Sequence, residues 1–329
     1  MRIKEKIRKI FTKKFLSDSW KILKTTFGSF SDDKGFKLSA SLAYTTVFAL
    51  GPLLLLIMSL ASIFFGQDAI RGNVFAELNK LIGSSAAAQI QDIIKNIEFS
   101  GKTKFALISS VVVLLIGATG LFIEIQDSLN IIWRVKAKPK KSWVLFLKNR
   151  LLSSSLIISM GFLLIVSLIV NGAVQALSNV LERYLSDATV VLFYFINQIL
   201  NFLVLVSLFG IIFKVLPDVK IKWKDVISGS IFTSVLFIIG KYLIGLYIET
   251  TGTSSTYGTA GSIIIILLWI YYSSAILYLG AEFTQIYIEM YGGRIEPADY
   301  AVHIKQTEVE EEVNKLPLQH ADVKKEIKK

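Results

Sequence analysis

The sequence predicts an all-α, polytopic membrane protein with six transmembrane helices, a basic amphipathic helix ahead of them and a short helical excursion on the outer side. Three observations carry that prediction. From Thr250 to Ala281 thirty-two residues pass without a charged side chain, and the nineteen from Ile263 onward are apolar, aromatic or small. That is the length of helix needed to cross a ~30 Å hydrocarbon layer. The chain is 53% hydrophobic with a mean hydropathy of +0.57, more apolar surface than a soluble domain of 329 residues can bury. Lysine and arginine gather in alternate connections, as the positive-inside rule requires of a multi-spanning chain.

Taken in order, residues 1–37 form a cytoplasmic arm. Ile3, Ile7, Ile10, Phe11 and Phe15 recur at helical spacing and are continued by Leu16, Trp20, Leu23 and Phe27, while Arg2, Lys4, Lys6, Arg8, Lys9, Lys13 and Lys14 fill the other face. This pattern suits a helix lying among anionic headgroups. Residues 38–290 form the membrane domain. Its first span, 38–65, contains Pro52, which removes a backbone hydrogen bond and predicts a kink able to serve as a hinge. An excursion at 67–104 holds two short amphipathic helices divided by Gly83, Ser84 and Ser85. The second span, 105–123, continues into an amphipathic extension carrying Glu124, Gln126, Asp127 and Asn130, then a basic loop from Arg134 to Lys141.

The third span is 151–177 and the fourth 188–213. On the fourth, Tyr194, Asn197, Gln198 and Asn201 fall at i, i+3, i+4 and i+7, a polar stripe that must face protein or water. Lys214, Lys220, Lys222 and Lys224 make the following loop basic. The fifth span, 226–248, holds Lys241 about 22 Å from its start at ~1.5 Å per residue. The sixth is 263–281 and ends at Glu282, a carboxylate costly enough at that depth either to reach the headgroup region or to have a partner inside the bundle, and so the first residue to weigh for function. The tail, 291–329, is polar and mixed in charge and is expected to be partly disordered. Both termini are then cytoplasmic, and the formal charge of +11 follows from topology rather than from nucleic-acid binding.

Several chemistries are excluded. There is no cysteine, and His303 and His320 both lie in the tail. No imidazole or thiolate is therefore available within the spans for a zinc site, a triad or a proton relay. No phosphate-binding loop or HExxH motif occurs, and Asp218 beside Pro217 stands as a single acid among lysines. No cofactor, no metal and no enzymatic activity are expected.

Four segments together resemble the YihY/BrkB family of bacterial inner-membrane proteins: SASLAYTTVFALGPLLLL at the first span, SLNIIWRV after the second, FKVLPDVKIKWKDVISGS between the fourth and fifth, and YGTAGSIIIILLWIYYSSAILYLGAEF at the sixth. The likeness runs from about Leu38 to Gln285. It puts Tyr44, Pro52, Asn130, Pro217, Asp218, Trp223, Gly229, Tyr257, Gly258, Trp269, Gly280 and Glu282 at the family's characteristic positions. Members have carried the label ribonuclease BN and names linked to virulence and serum resistance. The resemblance implies a multi-pass protein of the bacterial inner membrane.

The function expected is a transporter or flippase-like handler of an anionic lipid or another amphipathic anion. A membrane scaffold that recruits partners through its arm and tail is the alternative, and a membrane-bound ribonuclease a remote one, since isolated acids such as Asp127, Asp218 and Asp225 do not make a metal cluster. The expected substrate path comprises Lys241, Tyr194, Asn197, Gln198, Asn201 and Tyr44, with Pro52 as hinge. Glu282 and Glu124 are expected at similar depth in a polar layer with Asn130, with Lys37 and Lys214 as counter-ions. The expected partners are anionic membrane lipids and no nucleic acid; a homo-oligomer is left open.

Overall fold

The computed structural model describes residues 13–48, 120–138, 187–251, 259–291 and 293–305. The hinge at Pro52, the excursion at 67–104, the third span and most of the first two lie outside the described residues, as do the arm before Lys13 and the tail beyond Lys305. In chain order the elements are α1 (Lys13–Asp32), α2 (35–48), α3 (120–132), β1 (Val135–Ala137), α4 (Asp187–Val215), β2 (Val219–Lys220), α5 (Trp223–Thr251), α6 (Thr259–Met290), β3 (Glu296–Pro297) and β4 (Ala301–His303).

Among the described residues, helices α4, α5 and α6 contain three stretches long and apolar enough to cross a membrane, Phe195–Val215, Trp223–Tyr247 and Ile264–Met290. They correspond to the expected fourth, fifth and sixth spans. Each helix runs a few residues further than expected, because turns such as Phe283 to Ile288 keep burying Thr284 and Ile288. On α5 the outward row Ile227, Ile231, Val235 and Ile239, at successive i+4 positions, is exposed, as are Phe195, Ile199 and Leu203 on α4. Such contiguous apolar rows are stable against hydrocarbon rather than water. α6 is the most buried of the three, with 56% of its most apolar stretch buried against 33% for α5 and 17% for α4. It packs on α5 along one side and on α1 along another.

Between lipid-immersed helices there is little hydrophobic drive, so close van der Waals packing has to hold them. The α5–α6 contact achieves this with a reciprocal pair of Gly-x-x-x-Thr steps. A Cβ on Gly229 would lie 1.8 Å from Thr284 Oγ1, and one on Gly280 would lie 1.9 Å from Thr233 Oγ1. Each threonine hydroxyl is meanwhile satisfied within its own helix, Thr233 donating to Gly229 O and Thr284 to Gly280 O, both at 2.7 Å. Further along, the Tyr272 hydroxyl occupies the space beside Gly240 and donates to Leu236 O at 3.1 Å.

α1 reaches the bundle through Ile22, Thr26 and Phe30, a buried i, i+4, i+8 stripe, while Trp20 and Phe27 point outward. The face seated on protein thus differs from the Trp20–Leu23–Phe27 stripe expected to meet lipid: the arm's last turns divide their apolar residues between both. α1 turns into α2 at Asp33 and Lys34, with Lys34 at φ 57°. The described elements are not purely helical. At one end of the bundle β1 pairs antiparallel with β4 (Val135 opposite His303) and β2 with β3 (Val219 opposite Pro297). The segment 293–305, expected within a partly disordered tail, is an ordered strap: it lies across the α3–β1 and α4–β2 connections, whose open backbone groups give it partners.

Candidate functional site

The strap end gathers the polar residues of distant segments into two clusters. The first is built on Asp218. Pro217 cannot continue α4, and the chain bends there so that Asp218 turns inward, 2% exposed. Asn130 on α3 meets it with two reciprocal bonds, Nδ2 donating to Asp218 Oδ2 at 2.8 Å and Oδ1 accepting from Asp218 N at 2.9 Å. Asp218 Oδ1 accepts from Gln126 Nε2 at 3.1 Å and from the Tyr300 hydroxyl at 2.9 Å. Its carbonyl accepts from Ala298 N at 2.9 Å. Burial and the Asp218 charge push the Tyr300 phenol up from its ordinary value. Burial, then Glu124 and Asp218, likewise raise the nearby Asp127 carboxyl. Every polar atom of Asp218 has a partner, so it clamps α3, the α4–α5 connection and the strap together.

The second cluster surrounds Glu282. That residue is 2% exposed, and the Asp33 carboxyl, from the α1–α2 corner, lies beside its own. Arg134, at the end of α3, forms an ion pair with Asp33 Oδ1. Trp133 donates its indole N–H to Ala281 O at 3.2 Å, fixing that end of α3 to α6. Glu282 Oε1 has no hydrogen-bond donor among the described residues, and neither the Tyr278 hydroxyl nor Gln285 Oε1 on the same helix has a partner there. Burial holds the Asp33 carboxyl above its ordinary value in spite of Arg134. Lys34 and Arg134 are the described non-glycine residues with positive φ, 57° and 55°. Left-handed backbone at such residues costs on the order of 1–3 kcal/mol, and both strained corners flank this cluster.

The residues expected to share one polar layer have different partners in the structure. Lys37 is exposed and Lys214 is spent on the Ile221 carbonyl, so the cation beside the acid pair is Arg134. Glu124 accepts from Ser41 Oγ at 2.6 Å and sits near Tyr278, one turn before Glu282 on α6. Asn130 belongs to the Asp218 clamp. Asp218 is not a solitary surface acid: the folding chain brings it donors from α3 and the strap that its sequence neighbours do not reveal.

The expected substrate-path residues are more dispersed. Asn201 Nδ2 donates to Asn197 Oδ1 at 3.4 Å; both are half-buried, as is Lys241, whereas Gln198 is exposed. Gly210 lies against Ser230, and Phe209 against Phe237 with ring centroids 5.8 Å apart. This antiparallel register sets Asn201 level with Lys241. Tyr194 is on α4, with its side chain outside the described residues. Tyr44 on α2 is 66% exposed and rests on Phe48, ring centroids 4.9 Å apart.

Comparison with known proteins bears on the family. The sequence profile of the family described as Virulence factor BrkB matches residues 26–302. A UPF0761 membrane protein of Rhodospirillum centenum is 30% identical over 286 residues, covering 85% of this chain and 60% of that protein. A UPF0761 membrane protein of Azotobacter vinelandii is 28% identical, covering 80% of this chain and 62% of that protein. The chain thus spans about 60% of the length of these curated relatives. No solved structure matches it. The matched profile covers both clusters and the three membrane helices, and the chain belongs to the BrkB family of bacterial membrane proteins.

Proposed function

We propose that the chain is a six-span protein of the bacterial inner membrane, both termini cytoplasmic, that moves an anionic lipid or another amphipathic anion across the bilayer and is not an enzyme. The observation that carries this reading is the level shared by Lys241 on α5 and the Asn197–Asn201 pair on α4, half-buried polar groups in two predominantly apolar helices. At ~1.5 Å per residue Lys241 lies about 27 Å from Trp223, where α5 starts. A cation and amide groups at that depth suit a charged headgroup whose acyl chains stay in lipid. The basic connections support an orientation with the strap end in the cytoplasm.

The test is reconstitution into liposomes carrying labelled anionic and zwitterionic lipids. Wild-type protein accelerates movement of the anionic lipid, and Lys241→Ala and Asn201→Ala each slow it about tenfold, the equivalent of ~1.4 kcal/mol. Equal movement with and without protein, and no lipid copurifying, would replace transport with the scaffold reading. Topology is checked separately. The chain has no cysteine, so thiols introduced at Ser255 label from outside and ones at Lys222 from inside.

A further inference from the structure

We propose that Asp33 and Glu282 form a proton-binding site at the cytoplasmic end of α6, whose occupancy decides whether the α1–α2 corner stays closed on that helix. The geometry states the need. Two buried carboxyl groups lie side by side with one guanidinium, that of Arg134, on Asp33. With both acids ionised they outnumber the one guanidinium set against them among the described residues, and buried Glu282 Oε1 finds no donor there to stabilise it. The surroundings deepen the deficit: Asp32 at the end of α1 also acts on Glu282, and Glu124 of α3 lies one turn further along the same face, beside Tyr278.

One proton removes the imbalance. Taken from water, it converts one carboxylate to a carboxyl, which then donates to the other carboxylate while Arg134 neutralises the remaining charge. A metal cation fits less well: two carboxylates offer too few oxygens for its coordination shell, and Arg134 repels it. Loss of the proton puts two like charges in contact across the joint between the α1–α2 corner and α6. The joint carries a left-handed residue on either side, Lys34 and Arg134, a backbone conformation that costs free energy in the closed state. This inference does not depend on the lipid reading, because the site would bind a proton whatever the protein moves.

The test uses the full chain in nanodiscs, followed by the infrared absorption of protonated carboxyl groups as pH is raised from mildly acidic to alkaline. Wild type is expected to show a buried protonated carboxyl that disappears with rising pH, and Glu282→Gln and Asp33→Asn are each expected to lose that signal entirely. A pair of spin labels on cysteines replacing the exposed Lys24 of α1 and Glu289 of α6 should separate over the same pH range in wild type and stay fixed in Glu282→Gln. A wild-type spectrum without such a carboxyl overturns the proposal even if a variant fails to fold. So does a titrating signal that survives both substitutions, or a label separation that ignores pH.

Discussion

Asp218 and Glu282 are buried to the same degree, each 2% exposed, at the same end of the bundle, yet their surroundings are opposite. Asp218 receives donors on both carboxylate oxygens and on its carbonyl. Glu282 has another acid for a neighbour and, among the described residues, an oxygen without a donor. Burial alone therefore does not tell what a carboxylate in a membrane protein does; its count of donors does. A fully satisfied acid fixes structure, because every arrangement that moves it breaks several bonds at once. An unsatisfied one is poised to change its charge, because each protonation state leaves something the other repairs.

The largest effect expected from breaking the contrast comes at the clamp. Asp218→Ala takes a hydrogen-bond partner from the buried Asn130 and from the half-buried Gln126 and Tyr300, and loosens the strap. It should cost about 3 kcal/mol or more, read as a fall in thermal unfolding temperature with new protease cleavage within 293–305. Next is the frame that holds α6 in place. Gly280→Ala drives a methyl into Thr233 and should cost about 1–3 kcal/mol; adding Thr233→Ala should recover part of the loss, and no recovery would mean the helices do not cross there. Smaller, and opposite in sign, is Glu282→Gln, which at alkaline pH should raise stability by about 1–2 kcal/mol by supplying an amide donor in place of a charge. Smallest is Lys220→Ala, which removes the exposed ion pair with Asp299 and should leave the unfolding temperature unchanged.

Much of this frame is legible in the sequence, and the reason is the bilayer. A lipid environment demands continuous apolar runs, so α4, α5 and α6 announce themselves by length and composition, and Glu282 stands out as the charge that interrupts such a run. The partners of Glu282 do not announce themselves. Asp33 and Arg134 sit in turns far away in the chain, and counting residues along separate helices gives depth but not which face meets which. That is why Lys37 and Lys214 look equally suitable until the α1–α2 corner and the end of α3 are seen to converge on α6. Asn130 and Asp218 are both visible as family positions, but their reciprocal bonds depend on the Pro217 bend. The strap is hidden because its residues are polar and its stability comes from backbone pairing with two connections rather than from any apolar pattern of its own.

The dependence of stability on pH tests the contrast most directly. A carboxyl raised in the folded state binds its proton more tightly folded than unfolded. Its contribution is fully present below its unfolded value and is lost as pH climbs through the folded one. Asp33 is such a group, raised by burial, and its neighbour Glu282 is the acid that shares the proton. Wild-type unfolding temperature should therefore fall as pH rises above the ordinary carboxylate range, and the fall should flatten in Glu282→Gln while keeping its slope in Lys220→Ala. A Glu282→Gln profile parallel to wild type across that range would contradict the assignment of Glu282 as the titrating acid.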